Sequence, residues 1–187
     1  MEVFFKNLQQ RYKLSDTAIE QLREIFKPLT YKKKEIFGGN EKKQQSVFFV
    51  ANGLVRAFLI KENTNYTVFF AFEDQMLNTF PDQVGLEHPH IDYEALEDTL
   101  LYKVSKIALE NLFQTSLELS NWGRKLLEEK IIEFNNYFIN YFYEEKRTQY
   151  KKILAEHPNL IQRVALKDLA TYLNMTPQSL SRIRAEI

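Results

Sequence analysis

The sequence predicts an α+β protein: a closed assembly of short strands, a long helix, and a two-helix motif at the end of the chain. Three observations predict it. Short strand-like runs separated by turn residues fill the stretch from Pro28 to about Ser105. The next stretch, Ile107 to about Glu145, has no proline and carries apolar residues at helical spacing. The last residues, Val164 to Ile187, read as two short helices joined by a tight turn. The polar run Glu144–Arg147 is the expected hinge, so the domains are residues 1–145, with the long helix at about 107–145, and residues 146–187.

The strand-rich part is introduced by a helix from Leu14 to Phe26. Ser15 or Asp16 can cap it, Ile19, Leu22, Ile25 and Phe26 form its apolar face, and Pro28 stops it. Asn52-Gly53 lies between Ser46–Ala51 and Leu54–Ile60 and predicts a hairpin. Tyr66–Phe72 is apolar on both faces and is expected to be covered on both sides. Ile91–Leu96 and Leu100–Ser105 supply two more strands, with Glu97-Asp98 between them. Several short strands at this spacing indicate a barrel, a roll or a jelly roll.

In the long helix only Gly123 weakens the pattern. Leu127, Ile131, Phe134, Phe138 and Tyr141 advance by alternating steps of four and three, the spacing of a coiled-coil seam. Trp122, Leu126 and Tyr137 form a second set, directed at the strands or the other domain. A long helix that is apolar on two sides is best explained by a second copy covering one of them, so a homodimer is expected. Beyond the hinge, Thr148–Glu156 should be a helix with Tyr150, Ile153 and Leu154 inward, ended by His157-Pro158-Asn159.

In the final motif Leu166, Leu169, Ala170 and Leu173 share one helical face. Asn174 suits the left-handed turn that ends a helix, Thr176 can cap the next, and Pro177 suits its first position. Leu180, Ile183 and Ile187 then point inward, while Gln178, Ser181, Arg182 and Ala185 point outward. A helix-turn-helix that sets its second helix in a DNA major groove has this arrangement. Gln178 can pair with adenine and Arg182 with guanine, and both project from the same side. Ser179 joins them, and Thr176 and Lys167 are placed for phosphate. Net charge is zero, but residues 146–187 hold eight basic residues against three acidic ones. A basic tail on an acidic body is the asymmetry of a chain whose tail meets phosphate.

The run "LATYLNMTPQSLSRIR" resembles the carboxy-terminal end of the Crp/Fnr superfamily of bacterial regulators, and is most similar to its short Bacteroidetes-type members. "FFVANGLVRAFLI" at 48–60 and "YEALEDTLLYKVS" at 93–105 resemble the same family's amino-terminal β-roll. The resemblance spans nearly the whole chain. It implies a double-stranded β-roll sensor, a long helix that forms the dimer interface, and a helix-turn-helix that binds double-stranded DNA, with RNA polymerase as a further candidate partner. The family's β-hairpin wing does not follow Ile187, so fewer phosphate contacts are expected; a shortened chain would look the same.

The resemblance also raises cyclic-nucleotide binding. That pocket holds the ribose with a Gly-Glu pair and the phosphate with an Arg-Ser pair. Leu77-Asn78 and Pro89-His90 stand at those places here, so Asn78, Thr79, Pro89 and His90 are the candidate pocket residues. Glu73–Glu94 contains no lysine or arginine, a poor host for an anionic phosphate. No cofactor is expected, cAMP is not the expected effector, and no other effector is named by the residues. Arg56, in the expected hairpin, could face the ligand cavity or solvent, and solvent is the expectation.

The chain has no cysteine, which excludes disulfides and cysteine-held iron–sulfur clusters. His88-Pro89-His90 lacks a third ligand, so no metal is expected. There is no phosphate-binding glycine loop or nucleophile elbow, and no enzyme is expected. Neither a membrane span nor a signal-peptide core is visible, so a cytoplasmic location is expected. The competing reading is a small-molecule sensor module whose helix-turn-helix contacts protein rather than DNA.

Overall fold

The structure, a computed structural model, describes residues 2–38, 46–78 and 91–187. Among the described residues, eight strands form two four-stranded antiparallel sheets, and helices flank them. β1 (Lys27–Tyr31), β8 (Thr99–Ser105), β3 (Ser46–Asn52) and β6 (Met76–Asn78) lie in that order in the first sheet. β2 (Ile36–Phe37), β7 (Ile91–Ala95), β4 (Val55–Lys61) and β5 (Thr64–Ala71) form the second. The inner faces meet over an apolar core that includes Phe37, Phe48, Val50, Val55, Ala57, Leu77, Tyr93 and Leu101.

Asn52-Gly53 does not make a hairpin. β3 and β4 belong to different sheets, and the dipeptide is the corner at which the chain crosses between them. Gly53 has φ +104°, and its amide donates to Glu73 Oε1 at 3.1 Å. A Cβ there would lie 2.5 Å from Thr99 Oγ1 and 2.9 Å from its Cα, so only glycine fits. The tight hairpin joins β4 to β5 instead, through Glu62 and Asn63, whose φ angles of +51° and +61° are those of a type I′ turn. β7 and β8 likewise sit in separate sheets on either side of Glu97-Asp98. A roll built from sheet-switching corners leaves the same turn signature in sequence as one built from hairpins.

Two amino-terminal helices cover the first sheet. α1 (Glu2–Tyr12), where the sequence reading placed no element, buries Phe4, Phe5, Leu8 and Tyr12. α2 (Asp16–Ile25) starts at Ser15, whose hydroxyl accepts from the Ala18 amide. Both pack with Phe49, Tyr102, Leu119, Trp122 and Leu126 in one cluster.

The long helical segment is broken once, at Ser116 rather than at Gly123. α3 (Lys106–Thr115) ends there, and the Ser116 hydroxyl caps α4 (Leu117–Tyr143) by accepting from the Leu119 amide. Gly123 lies inside α4 under the ring of Phe113; a Cβ at this position would sit 2.6 Å from Phe113 Cζ. The glycine is a packing contact between α3 and α4, not a helix breaker.

Candidate nucleic-acid interface

Four helices make up the carboxy-terminal unit: α5 (Lys146–Glu156), α6 (Leu160–Arg163), α7 (Leu166–Tyr172) and α8 (Pro177–Ala185). The turn between α7 and α8 has the predicted chemistry. Asn174 takes φ +51°, and the Met175 amide closes on the Ala170 carbonyl at 3.0 Å. Thr176 Oγ1 accepts from the Ser179 amide at 3.1 Å, and Pro177 occupies the first turn.

Leu180 is fully buried against Leu169, Ala170 and Leu173, and Ile183 packs on the same cluster. Ile187, expected to share this inward face, is exposed because α8 ends at Ala185. The opposite face is open: Gln178, Ser179, Ser181, Arg182 and Ala185 are all exposed, and so is Lys167 on α7. Gln178 and Arg182 are one helical turn apart on that face. The Thr176 and Ser179 hydroxyls lie 2.9 Å apart and Thr176 is occupied as the cap, so these two groups act as one polar corner at the helix start.

The basic residues of this unit divide by use. Arg147 donates to Glu186 Oε2 and to the Glu186 carbonyl, both at 3.0 Å, and clamps the end of α8 to α5. Lys152 pairs with Glu144. Arg163 bridges Glu73 and Glu97, at 2.9 and 2.7 Å. Lys151, Lys167, Arg182 and Arg184 form no salt bridge among the described residues, and three of them lie on the two helices of the motif. The junction of α4 and α5, the expected hinge, is braced: buried Gln149 donates to the Asn140 and Glu144 carbonyls at 2.7 and 2.8 Å, capping α4 from α5.

The unit is seated on the roll. α7 lies against β5, and Leu54, Phe70 and Leu96 of the roll share one cluster with Tyr150, Leu160, Leu169 and Leu180. Phe72 stacks on His157, with ring centroids 3.9 Å apart. This covers the outer face of β5, as expected from its two apolar faces; only the hairpin end is open, with Tyr66 exposed. Arg56, expected in solvent, is 4% exposed. Its guanidinium bonds Glu94 of β7 and Asp168 of α7, each at 2.6 Å. Sequence reading missed this because both acids lie far away in the chain. The signal that was available is an arginine in the middle of an apolar strand.

Along α4, Trp122 and Leu126 are buried and Tyr137 is half-buried, the latter against Tyr172 of α7 at 5.6 Å. Leu127, Ile131, Phe134, Phe138 and Tyr141 are exposed, with Phe134 at 64%. Ile132, Ile139, Phe142 and Tyr143 extend this open surface beyond the predicted seam. Of the candidate pocket residues, Asn78 ends β6, where its backbone pairs with Val47. Thr79, Pro89 and His90 lie outside the described residues, as does His88.

No protein-family model matches the chain, and no curated protein matches it in sequence. Solved structures do. A CooA variant from Carboxydothermus hydrogenoformans superposes with a TM-score of 0.71 at 16% identity, covering 96% of this chain and 82% of that one. FixK2 from Bradyrhizobium japonicum gives 0.72 at 16% identity, over 87% and 84% of the two chains. A protein from Eubacterium rectale, described as a transcriptional regulator of the Crp/Fnr family, gives 0.65 at 13% identity over 93% and 83%.

The fold is that of the Crp/Fnr regulators. The likeness covers the roll, the α4 spine and the helix-turn-helix together, so the order of parts read from the sequence is the order in the Crp/Fnr fold. At these identities the likeness is one of architecture; residue roles rest on the geometry of this chain. Among the described residues, no cluster of three or more His, Asp or Glu side chains is arranged to hold a metal, and no helix is long and apolar enough to cross a membrane.

Proposed function

We propose that this chain is a DNA-binding transcription regulator of Crp/Fnr type that works as a homodimer on a palindromic site. The observation that carries the reading is α8: one side is anchored by Leu180, and the other presents Gln178, Ser179 and Arg182 to solvent without ion-pair partners among the described residues. Gln178 and Arg182 reach base edges in the major groove, while Lys167 and the Thr176 corner meet phosphate. The exposed stripe Leu127, Ile131, Phe134, Phe138 and Tyr141 is the dimer seam. An open apolar surface this long on a water-soluble chain is covered in the working molecule. Two copies joined along α4 carry two recognition helices, which read half-sites about one helical turn, or ~34 Å, apart. The roll senses something other than cAMP or has lost its ligand, since Glu73–Glu94 supplies no cation for a cyclic phosphate. The protein acts in the cytoplasm, is not an enzyme, and meets RNA polymerase when bound beside a promoter.

The test is binding to a palindromic duplex library across a salt series. Selective binding that weakens steeply with salt is the expected result, because phosphate contacts release counterions. Binding that ignores both sequence and salt, or stabilisation by a metabolite with no duplex affinity at all, would favour the competing sensor-module reading.

A further inference from the structure

The charged residues between the roll and the helix-turn-helix are arranged as a pin. Arg56 lies in the middle of β4, 96% removed from solvent. Its Nε donates to Glu94 Oε2 on the neighbouring strand, and its Nη1 donates to Asp168 Oδ1 on α7, both at 2.6 Å. Nη1 is also 3.4 Å from Thr67 Oγ1 on β5, and the guanidinium lies over the Phe58 ring at 4.7 Å. Thr67 carries the connection further: its amide donates to Thr171 Oγ1 on α7 at 3.2 Å, and the two hydroxyls are 3.1 Å apart. A single guanidinium therefore ties three strands of the roll to the first helix of the motif. The side chains of Glu94 and Asp168 are 16% and 9% exposed, so water cannot replace what the arginine supplies.

We propose that Arg56 is a positioning residue that pins the helix-turn-helix to the roll and thereby fixes the direction of α8. This rests on the DNA-binding reading above and concerns how that site is controlled. The docked arrangement leaves the Gln178–Arg182 face open, so pinning does not mask the reading surface. It adds a directional, charge-paired tie to a unit that the shared apolar cluster and Arg163 also hold on the roll, and a fixed α8 binds without first being ordered. Any shift of β5 or β7 against β4 must carry α7 along or break the pin. The pin is thus a route by which the state of the roll reaches the DNA-binding face.

Two variants separate the pin from simple stability. Asp168→Asn removes the charge that crosses between the units; Glu94→Gln removes one within the roll and leaves the crossing pair intact. Asp168→Asn is expected to lower affinity for the selected duplex by about tenfold, within the range of coupling between sites, and Glu94→Gln much less. Amide hydrogen exchange in α7 should quicken in Asp168→Asn while that of the roll interior stays slow. The chain has no cysteine of its own, so Thr67→Cys with Thr171→Cys places a unique reversible cross-link where the two hydroxyls now meet. In the Asp168→Asn background, oxidation should restore duplex affinity and dithiothreitol should remove it again. A weakening caused by general destabilisation would instead quicken exchange in the roll interior as well as in α7. Unchanged affinity and unchanged α7 exchange in Asp168→Asn would overturn the proposal. So would a cross-link that abolishes binding, since the bound state would then require an undocked unit. If the parent binds no duplex, the DNA-binding reading fails, and the pin is decided by α7 exchange alone.

Discussion

The two apolar faces of α4 use the same kinds of residue to opposite effect. On one face Leu119, Trp122 and Leu126 disappear into the cluster shared by α1, α2 and the first sheet. On the other Leu127, Ile131, Phe134 and Phe138 stand open to solvent at more than half of their full exposure. Both stripes have helical spacing, and only the supply of partners differs: the roll and the amino-terminal helices cover the first face and leave the second open. An apolar residue on a helix therefore says that something must cover it, while the rest of the chain says whether that cover is internal. The same contrast recurs in α8, where buried Leu180 and exposed Arg182 lie two residues apart.

The contrast breaks if residues of the two classes respond alike to substitution. The largest effect is expected at Trp122. It is 2% exposed and stacks on Phe49 at 6.0 Å, so Trp122→Ala should cost about 3–5 kcal/mol of unfolding free energy, measured by denaturant titration. Phe138→Glu should leave the circular dichroism spectrum of the folded chain unchanged but shift the sedimenting species from two chains to one, because a carboxylate placed in a two-fold seam meets its own copy. A Phe138→Glu protein that sediments as the parent does would remove Phe138 from the seam. In α8, Arg182→Ala should cost about 1–3 kcal/mol at one base pair and relax selectivity there with no change in melting temperature; equal binding to every duplex by parent and variant would cancel the assigned role. Thr176→Ala removes the cap that accepts from Ser179 and should cost about 1 kcal/mol of stability in a thermal melt.

The smallest effect concerns pH. Burial acts to raise the Glu73 carboxyl, but hydrogen bonds from Arg163 and from backbone amides outweigh it and hold the group below its ordinary 4.5. A depressed carboxylate stabilises the fold above its unfolded value and loses that contribution as pH falls through the folded one. Glu73→Gln should therefore cost less than about 1 kcal/mol at neutral pH, since the pair is partly exposed, and nothing once the pH is well below 4.5. A cost that persists in acid would show that the carboxylate charge is not what holds Arg163.

Much of this architecture is legible in the chain because the signals are local. Ser15, Asn174, Thr176 and Pro177 sit at helix ends where their own chemistry places them, and the spacing of Leu166, Leu169, Ala170 and Leu173 defines one face without help from any distant residue. The roll was legible as strands but not as connections. Asn52-Gly53 specifies a sharp left-handed corner, and which strand pairs next depends on contacts with Thr99 and Glu73 that no short window contains. The break at Ser116 was hidden because serine both interrupts one helix and caps another. The exposed polar face of α8 follows from periodicity alone. Arg56 did not, because Glu94 and Asp168 lie 38 and 112 residues further along the chain.

The central claim is that two chains joined along α4 present two α8 helices at the pitch of duplex DNA. The most direct measurement takes the palindrome selected from the library and varies the distance between its half-sites, reading affinity and stoichiometry together. The account predicts two chains per duplex and an affinity that peaks when the half-site centres are about one helical turn, ~34 Å, apart. One chain per duplex, or an affinity indifferent to spacing, would contradict it.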